Sequence, residues 1–338
     1  MSDAPVVVDA DVLGRERTGD ETYVANLLAE LGRMATGLRL VALTRRPDLV
    51  PAGIEPYELP ARLQELRMAV AVPRALRLLR PALVHFQYAL PPRLRAPAVV
   101  TVHDLSFERD AAVMGRLDRL TFRTMVPRAV RRAARVLTVS KRTKRDLVEL
   151  YGVDEAKVVV TPNGVDPAFS PAADGGHGGY ALFVGAIQKR KDPLAALAAA
   201  GAAGLPLVVA GPEREPALAR ELRSRGADLR GFVERDELVA LYRGAAALVL
   251  PSRYEGFGLP VLEAMACGTP VVATADDALR EVAGDAALYA PAAGLGDAIR
   301  RALADRDKLV AAGLERARRF TWAETARRTL AVYHEVLG

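Results

Sequence analysis

Residues Ala247–Pro270 read ALVLPSRYEGFGLPVLEAMACGTP and contain one complete strand–loop–helix unit. Ala247–Leu250 is a short, uninterrupted apolar run, the signature of a strand buried on both faces. Pro251 and Ser252 end it, and a helix is expected to start near Leu259, with Pro260 in the first turn where its missing N–H costs nothing. Between them, Gly256 and Gly258 let the backbone come close to a ligand. The helix start offers free N–H groups and a positive dipole end, which suits a phosphate. Glu255 lies in the loop and Glu263 eight positions later in the helix, so two carboxylates can face one pocket from different elements.

The same unit recurs along the chain in both directions. Apolar runs at Val6–Asp9, Leu38–Leu43, Leu83–Phe86, Ala98–Val102, Val136–Val139 and Val158–Thr161 precede a turn-rich stretch. The rhythm resumes at Ala181–Val184, Leu207–Ala210, Leu229–Phe232, Ala247–Leu250, Val271–Ala273 and Ala287–Tyr289. Helical patterns lie between them, at Glu21–Leu31, Leu117–Ala134, Lys141–Leu150, Pro193–Ala202, Arg214–Arg225 and Leu259–Ala266. Alternation on this scale predicts an α/β protein with parallel sheets. Pro162–Gly179 holds three prolines and five glycines without periodicity and marks the domain boundary. The expected architecture is two doubly wound domains, 1–165 and 166–320, facing across a deep cleft. A final amphipathic helix, 321–338, carries Trp322, the only tryptophan, and is expected to pack back on the first domain.

Composition narrows the function. Across 338 residues there is one cysteine, Cys267, and four scattered histidines, which excludes a disulfide framework and argues against a zinc cluster. Neither a leader peptide pattern nor an 18-residue apolar run stands out, so a cytoplasmic location is expected. Aromatic residues make up 5% of the chain and no recognition motif occurs, so no nucleic acid partner is expected. The first apolar strand is not followed by G-x-G-x-x-G, which disfavours a dehydrogenase. Residues 1–165 carry 26 Lys+Arg against 19 Asp+Glu; the remainder carries 21 against 22. The basic excess concentrates at 61–80 and 116–145, interleaved with Leu, Met and Val. It suits an anionic membrane surface, with an arginine-rich base composition as the plain alternative.

The Glu255–Glu263 string (EGFGLPVLE) resembles the E-x7-E motif of the retaining glycosyltransferases of family 4, which have the GT-B fold. The resemblance runs along the chain. Arg17–Tyr23 (RTGDETY) is similar to the family's glycine loop and Thr101–Phe107 (TVHDLSF) to its histidine segment. Leu137–Lys144 (LTVSKRTK) and Val160–Asp166 (VTPNGVD) resemble its strand–helix and interdomain segments, and Phe183–Asp192 (FVGAIQKRKD) its phosphate-binding lysine loop.

The resemblance implies a donor site in the second domain. Glu263 would accept hydrogen bonds from the ribose hydroxyls of a nucleotide, and Glu255 would hold a hydroxyl of the transferred sugar. Backbone N–H groups from Gly256 through Phe257, Gly258 and Leu259 would face the sugar and diphosphate. Lys191, with Arg190 beside it and Gly185 closing the preceding strand, would neutralise the departing diphosphate. Phe232 and Val233 would offer backbone groups to the base, Gly19 would let the first loop pass close to the phosphate, and His103 would lie near the sugar. Many members carry an arginine where Ala186 follows Gly185, which leaves open whether Arg190 supplies that charge. His85 reads as a core histidine; Asp9, Asp11 and Asp104 carry no assigned role.

The implied reaction moves a hexose or deoxyhexose, with mannose from GDP-mannose as the leading choice, to a saccharide, lipid-linked or small-molecule acceptor with retention. Its oxocarbenium-like transition state builds negative charge on the diphosphate, which Lys191 and the Leu259 helix start can stabilise. No metal or other cofactor is expected, on the reading that no Asp-x-Asp pair stands at a strand end to hold Mg²⁺. The preferred course is front-face attack, the leaving phosphate taking the acceptor's proton. The alternatives are a non-transferring nucleotide-sugar 2-epimerase of the same fold and a non-catalytic nucleotide-sugar-binding protein. Peripheral association with the inner membrane face is expected if the acceptor is lipid-linked.

Overall fold

The computed structural model describes residues 4–15, 18–60, 67–109, 115–172 and 178–338. Among the described residues two compact units emerge: those within 4–108, 115–163 and 322–338, and those within 164–321. Arg17 and the linker residues 173–177 lie outside the described residues, as do residues 61–66 of the first basic stretch.

The first unit holds a seven-stranded sheet. Its strands are β1 (Val6–Asp9), β2 (Leu40–Thr44), β3 (Glu55–Glu58), β4 (Leu83–Gln87), β5 (Ala98–Val102), β6 (Arg135–Thr138) and β7 (Val158–Val160). They run in the order β3-β2-β1-β4-β5-β6-β7, all parallel. Successive side chains of a strand face opposite sides. Val7, Val41, Leu43, Val84 and Phe86 therefore share one face, where helix Val72–Leu79 covers them with Val72, Ala75 and Leu76. Helix Thr18–Arg33 packs against the terminal helix Trp322–Leu337, which also touches β4 and β6. β3 escapes the apolar-run criterion because it reads EPYE: a largely exposed edge strand with a proline needs no apolar residues.

The second unit has six parallel strands. These are β8 (Ala181–Val184), β9 (Leu207–Ala210), β10 (Asp228–Gly231), β11 (Ala247–Leu250), β12 (Val271–Ala273) and β13 (Ala287–Tyr289). Their order is β10-β9-β8-β11-β12-β13. Phe183, Leu207, Val209, Val249 and Val272 pack under helices Pro193–Ala202, Pro216–Ser224 and Leu295–Ala304. In both units the chain winds outward from one central strand and then resumes on its other side. The two switch points, β1/β4 and β8/β11, are where sheets of this kind bind ligands, beyond the carboxyl ends of the strands.

Candidate active site

In the second unit, the loops leaving β8 and β11 meet at the switch point. After β8 the chain passes Gly185, whose φ of +149° favours glycine and whose missing side chain leaves room for Lys191: a Cβ there would sit 3.2 Å from Lys191 Cδ. The loop is braced from outside: Ile187 N–H donates to the Pro212 carbonyl at 2.9 Å and Lys189 N–H to the Glu215 carboxylate at 2.9 Å. A single turn, Lys189–Lys191, leads to Asp192, which caps helix Pro193–Ala202. After β11, Arg253 N–H donates to the Arg190 carbonyl at 2.9 Å, tying the two loops together.

Three charges converge there. Lys191 Nζ lies 2.8 Å from Glu255 Oε1 and 3.1 Å from Oε2. Arg190 Nη1 sits 3.7 Å from Oε2 and also donates to the Tyr254 carbonyl. Both Arg190 and Glu255 are buried. Burial alone would push the Glu255 carboxyl up, but Lys191 and Arg190 outweigh it and hold the group below the usual carboxylate range. Arg190 thus brings a second cation to this cluster, in a loop where Ala186 supplies none.

Asp276 fixes the loop that carries Glu255. Its carboxylate accepts from Glu255 N–H at 3.3 Å and from Ala278 N–H at 2.9 Å, at the start of helix Asp277–Ala283. The chain then runs through Gly256 and Phe257, both buried, to Gly258, which has φ +107° and would clash with Leu279 if it bore a Cβ. Leu259 opens helix Leu259–Ala266 there, and Pro260 sits in its first turn. One turn on, Glu263 is half-buried and accepts a 2.7 Å hydrogen bond from the Tyr242 hydroxyl. Burial raises its carboxyl to about 7; the Tyr242 bond opposes the rise and Asp166 adds to it.

A glycine also follows or ends each of the next strands outward. Gly211 N–H donates to the Gly231 carbonyl at 2.7 Å, and a Cβ on Gly211 would fall 2.2 Å from the Gly185 carbonyl oxygen. Gly185, Gly211 and Gly231 therefore leave the carboxyl edge of β8, β9 and β10 without side chains at these positions. Phe232, beyond it, is exposed and Val233 half-buried. Gly211 was readable in the sequence as the glycine directly after the run LVVA, but it belongs to no recognised string. Asp276 and Tyr242 gave no signal, because their importance lies in contacts made 21 residues away in the chain.

In the first unit, His103 follows β5. Its Nε2 lies 3.0 Å from the Gln87 side-chain oxygen at the end of β4, and its ring packs edge-on to Tyr23 at 4.8 Å. Burial lowers its pKa, against Asp20 and Asp104, so the ring is neutral at neutral pH. His85 is the satisfied core histidine of its sequence reading, bonded to Tyr333 and Thr101 at 2.6 and 2.7 Å. Gly19 lies inside the first turn of helix Thr18–Arg33 rather than in the loop before it, with nothing near its Cβ position.

Against the expectation that no Asp-x-Asp stands at a strand end, Asp9, Ala10 and Asp11 form one at the end of β1, a pattern able to hold a divalent cation, but arginines occupy it. Arg67 pairs with Asp9 at 2.7 Å and with Asp11 at 3.1 Å; Arg45 pairs with Asp11 at 2.7 Å, and Arg15 joins them. This corrects the reading of Arg67 as a surface cation: it is buried, because two carboxylates at the end of a buried strand need counter-charges. Arg119, Arg123 and Arg132 are likewise engaged, with Phe107, Glu108 and Leu94. Arg74, Arg77, Arg116 and Arg131 are exposed.

Comparison with known proteins bears on both units. Residues 175–320 match the family described as Glycosyl transferases group 1, and residues 17–169 that described as Glycosyltransferase Family 4. The chain is 30% identical to O-antigen chain mannosyltransferase B of Escherichia coli, over 87% of this chain and 82% of that one. It is also 30% identical to a D-inositol 3-phosphate glycosyltransferase of Acidothermus cellulolyticus, over 95% and 86%. Among solved structures, sucrose-phosphate synthase from Thermosynechococcus elongatus superposes with a TM-score of 0.79 at 22% identity, over 98% of each chain.

Proposed function

The chain belongs to family 4 of the glycosyltransferases, with the GT-B fold, and from that membership we propose that it transfers mannose from GDP-mannose, with retention and without a metal, to a hydroxyl of a saccharide or lipid-linked acceptor. The observation that carries this reading is the convergence of Lys191 and Arg190 on Glu255 at the β8/β11 switch point. A diphosphate leaving group gains negative charge as its bond to the sugar breaks, and two preorganised cations beside a helix start stabilise that charge without solvent reorganisation. Glu255 would exchange part of its contact with Lys191 for a sugar hydroxyl. Glu263 would take the ribose, and the bare edge at Gly211 and Gly231 would admit the base. Metal independence is supported by these cations and by the arginines that fill Asp9 and Asp11. Mannose is favoured over other hexoses by the likeness to a mannosyltransferase.

The acceptor side would be served by the first unit. No described helix is long and apolar enough to cross a membrane. A peripheral anionic surface is supported by Arg74, Arg77 and Leu78, exposed at the spacing of one helical face, by exposed Val70 in the turn before that helix, and by exposed Leu117 and Leu120 beside Arg116.

Thermal-shift measurement with GDP-, UDP-, dTDP- and ADP-sugars tests the donor. A ligand at 100 times its dissociation constant adds about 2.7 kcal/mol of stability. GDP-mannose should give the largest shift. A larger shift with another nucleotide sugar replaces the donor, and no shift with any of them refutes donor binding. Product analysis without acceptor separates transfer from epimerisation.

A further inference from the structure

Glu263 is held by a residue that no motif contains. Tyr242 lies near the end of helix Arg235–Gly244 and is fully buried. Its hydroxyl donates to Glu263 Oε2 at 2.7 Å, since an ionised carboxylate only accepts. Two contacts prevent the tyrosine from turning away. Its ring meets Phe169 edge-on at 5.8 Å, and its carbonyl accepts from the Thr269 hydroxyl at 2.6 Å. The phenol titrates well above its ordinary value, through burial first and the neighbouring Glu263 second, so it remains a donor throughout the neutral range. Glu263 itself is half-buried, with one oxygen bonded from the interior.

We propose that Tyr242 is a positioning residue for donor binding: it fixes the Glu263 carboxylate through Oε2 and so presents Oε1 to the ribose. The inference rests on the reading of Glu263 as the ribose-binding group. A carboxylate free to rotate would meet the two ribose hydroxyls in several orientations and lose entropy on binding; one anchored at Oε2 has already lost it.

The anchor has a second consequence. The ionised carboxylate accepts from the two hydroxyls far more strongly than the neutral acid, and Glu263 titrates at about 7. The groups acting on it are Tyr242 from helix Arg235–Gly244 and Asp166 from the segment opening the second unit, and it acts in turn on Cys267 at the end of its own helix. Arg235 pairs with Asp166 at 3.2 Å, and Arg243 acts on Cys267. Burial and Asp166 favour the neutral acid, while the Tyr242 hydroxyl favours the anion. Removing that hydroxyl therefore shifts the pH at which the donor is gripped upward.

Calorimetric dissociation constants between pH 6 and pH 9 test this on the whole chain. The probe is the nucleotide sugar giving the largest thermal shift in the screen above, whose diphosphate diester does not titrate in that range. Wild type should bind more tightly as pH rises through about 7. In Tyr242→Phe, which keeps the ring, the midpoint should move up by about one pH unit, a tenfold weakening below it, and affinity should approach wild type at pH 9. Glu263→Gln should bind weakly with no such pH dependence. Tyr242→Phe that follows wild type at every pH, or is weakened equally at every pH, reduces Tyr242 to a packing residue and overturns the inference. If Glu263→Gln binds as wild type does, the ribose assignment itself fails and takes the inference with it.

Discussion

Replacing Lys191 with Met keeps an unbranched side chain of similar length and deletes the charge 2.8 Å from Glu255. At that separation the Coulomb attraction is about 6 kcal/mol at an effective dielectric constant near 20. Desolvation of both ions offsets much of it, so the net value of the pair is far smaller. Breaking a buried pair by removing one partner costs more than the pair is worth, about 3–5 kcal/mol, because the other charge is left uncompensated. Arg190, 3.7 Å from the same carboxylate, compensates in part, which places the expected loss near the lower end, about 3 kcal/mol. For a domain of this size that corresponds to a fall in melting temperature of about 6–12 °C. The sign with pH follows from the depressed Glu255 pKa: the stabilisation is complete above the ordinary carboxylate value of 4.5 and disappears as pH falls through the lower folded value. The gap between wild type and Lys191→Met should therefore be full at pH 7 and close in acid. Glu255→Gln combined with Lys191→Met should recover part of the loss, since no lone charge remains. Turnover of Lys191→Met should fall by about 10²–10³, the cost of removing one donor to a developing oxyanion. A single variant that melts with wild type at pH 7 and turns over within a few-fold of it refutes both the pair's role and the phosphate assignment.

Glu263→Ala should weaken binding of the free nucleoside diphosphate by about 1.5–3 kcal/mol for each ribose hydrogen bond lost; an unchanged calorimetric dissociation constant means Glu263 does not touch the ribose. Activity should persist in EDTA, and activity that vanishes with chelator and returns with Mn²⁺ or Mg²⁺ overturns the metal-free scheme. Sedimentation with anionic vesicles should be salt-sensitive, with about 1 kcal/mol contributed by each surface arginine among Arg74, Arg77, Arg116 and Arg131. Charge reversal at these four should lower activity on a lipid-linked acceptor without changing donor affinity, and absence of vesicle binding at low salt removes the membrane from the scheme.

The strands were legible where burial on both faces makes them apolar runs: β1, β5, β8, β9, β11 and β12 occupy the residues their runs mark. β3 was not, because an edge strand has no such requirement. The loop from Glu255 to Leu259 was legible because glycine is demanded there: Gly258 adopts φ +107° beside Leu279. Partnerships between distant side chains left no local trace. Nothing in the spacing of Arg67 and Asp9, 58 positions apart, announces an ion pair, and Arg67 therefore read as one more basic residue of an amphipathic stretch.

The two sheets share one winding scheme yet end their strands differently, and the difference matches the division of labour proposed for them. At the carboxyl edge of the second sheet, β8 and β9 are followed by Gly185 and Gly211 and β10 ends in Gly231, so no side chain stands on that edge at these three positions. At the carboxyl edge of the first sheet, β1 ends in Asp9 and is followed by Asp11, β2 is followed by Arg45, and these side chains form a paired charge network with Arg67. Bare backbone recognises a constant partner, because N–H and C=O groups do not vary with sequence. Side chains recognise a variable one, because each can be exchanged without disturbing the strand that bears it. The proposed nucleotide carrier would recur in every turnover, whatever the acceptor, so on this proposal the glycine edge would serve the donor and the side-chain-filled edge the acceptor.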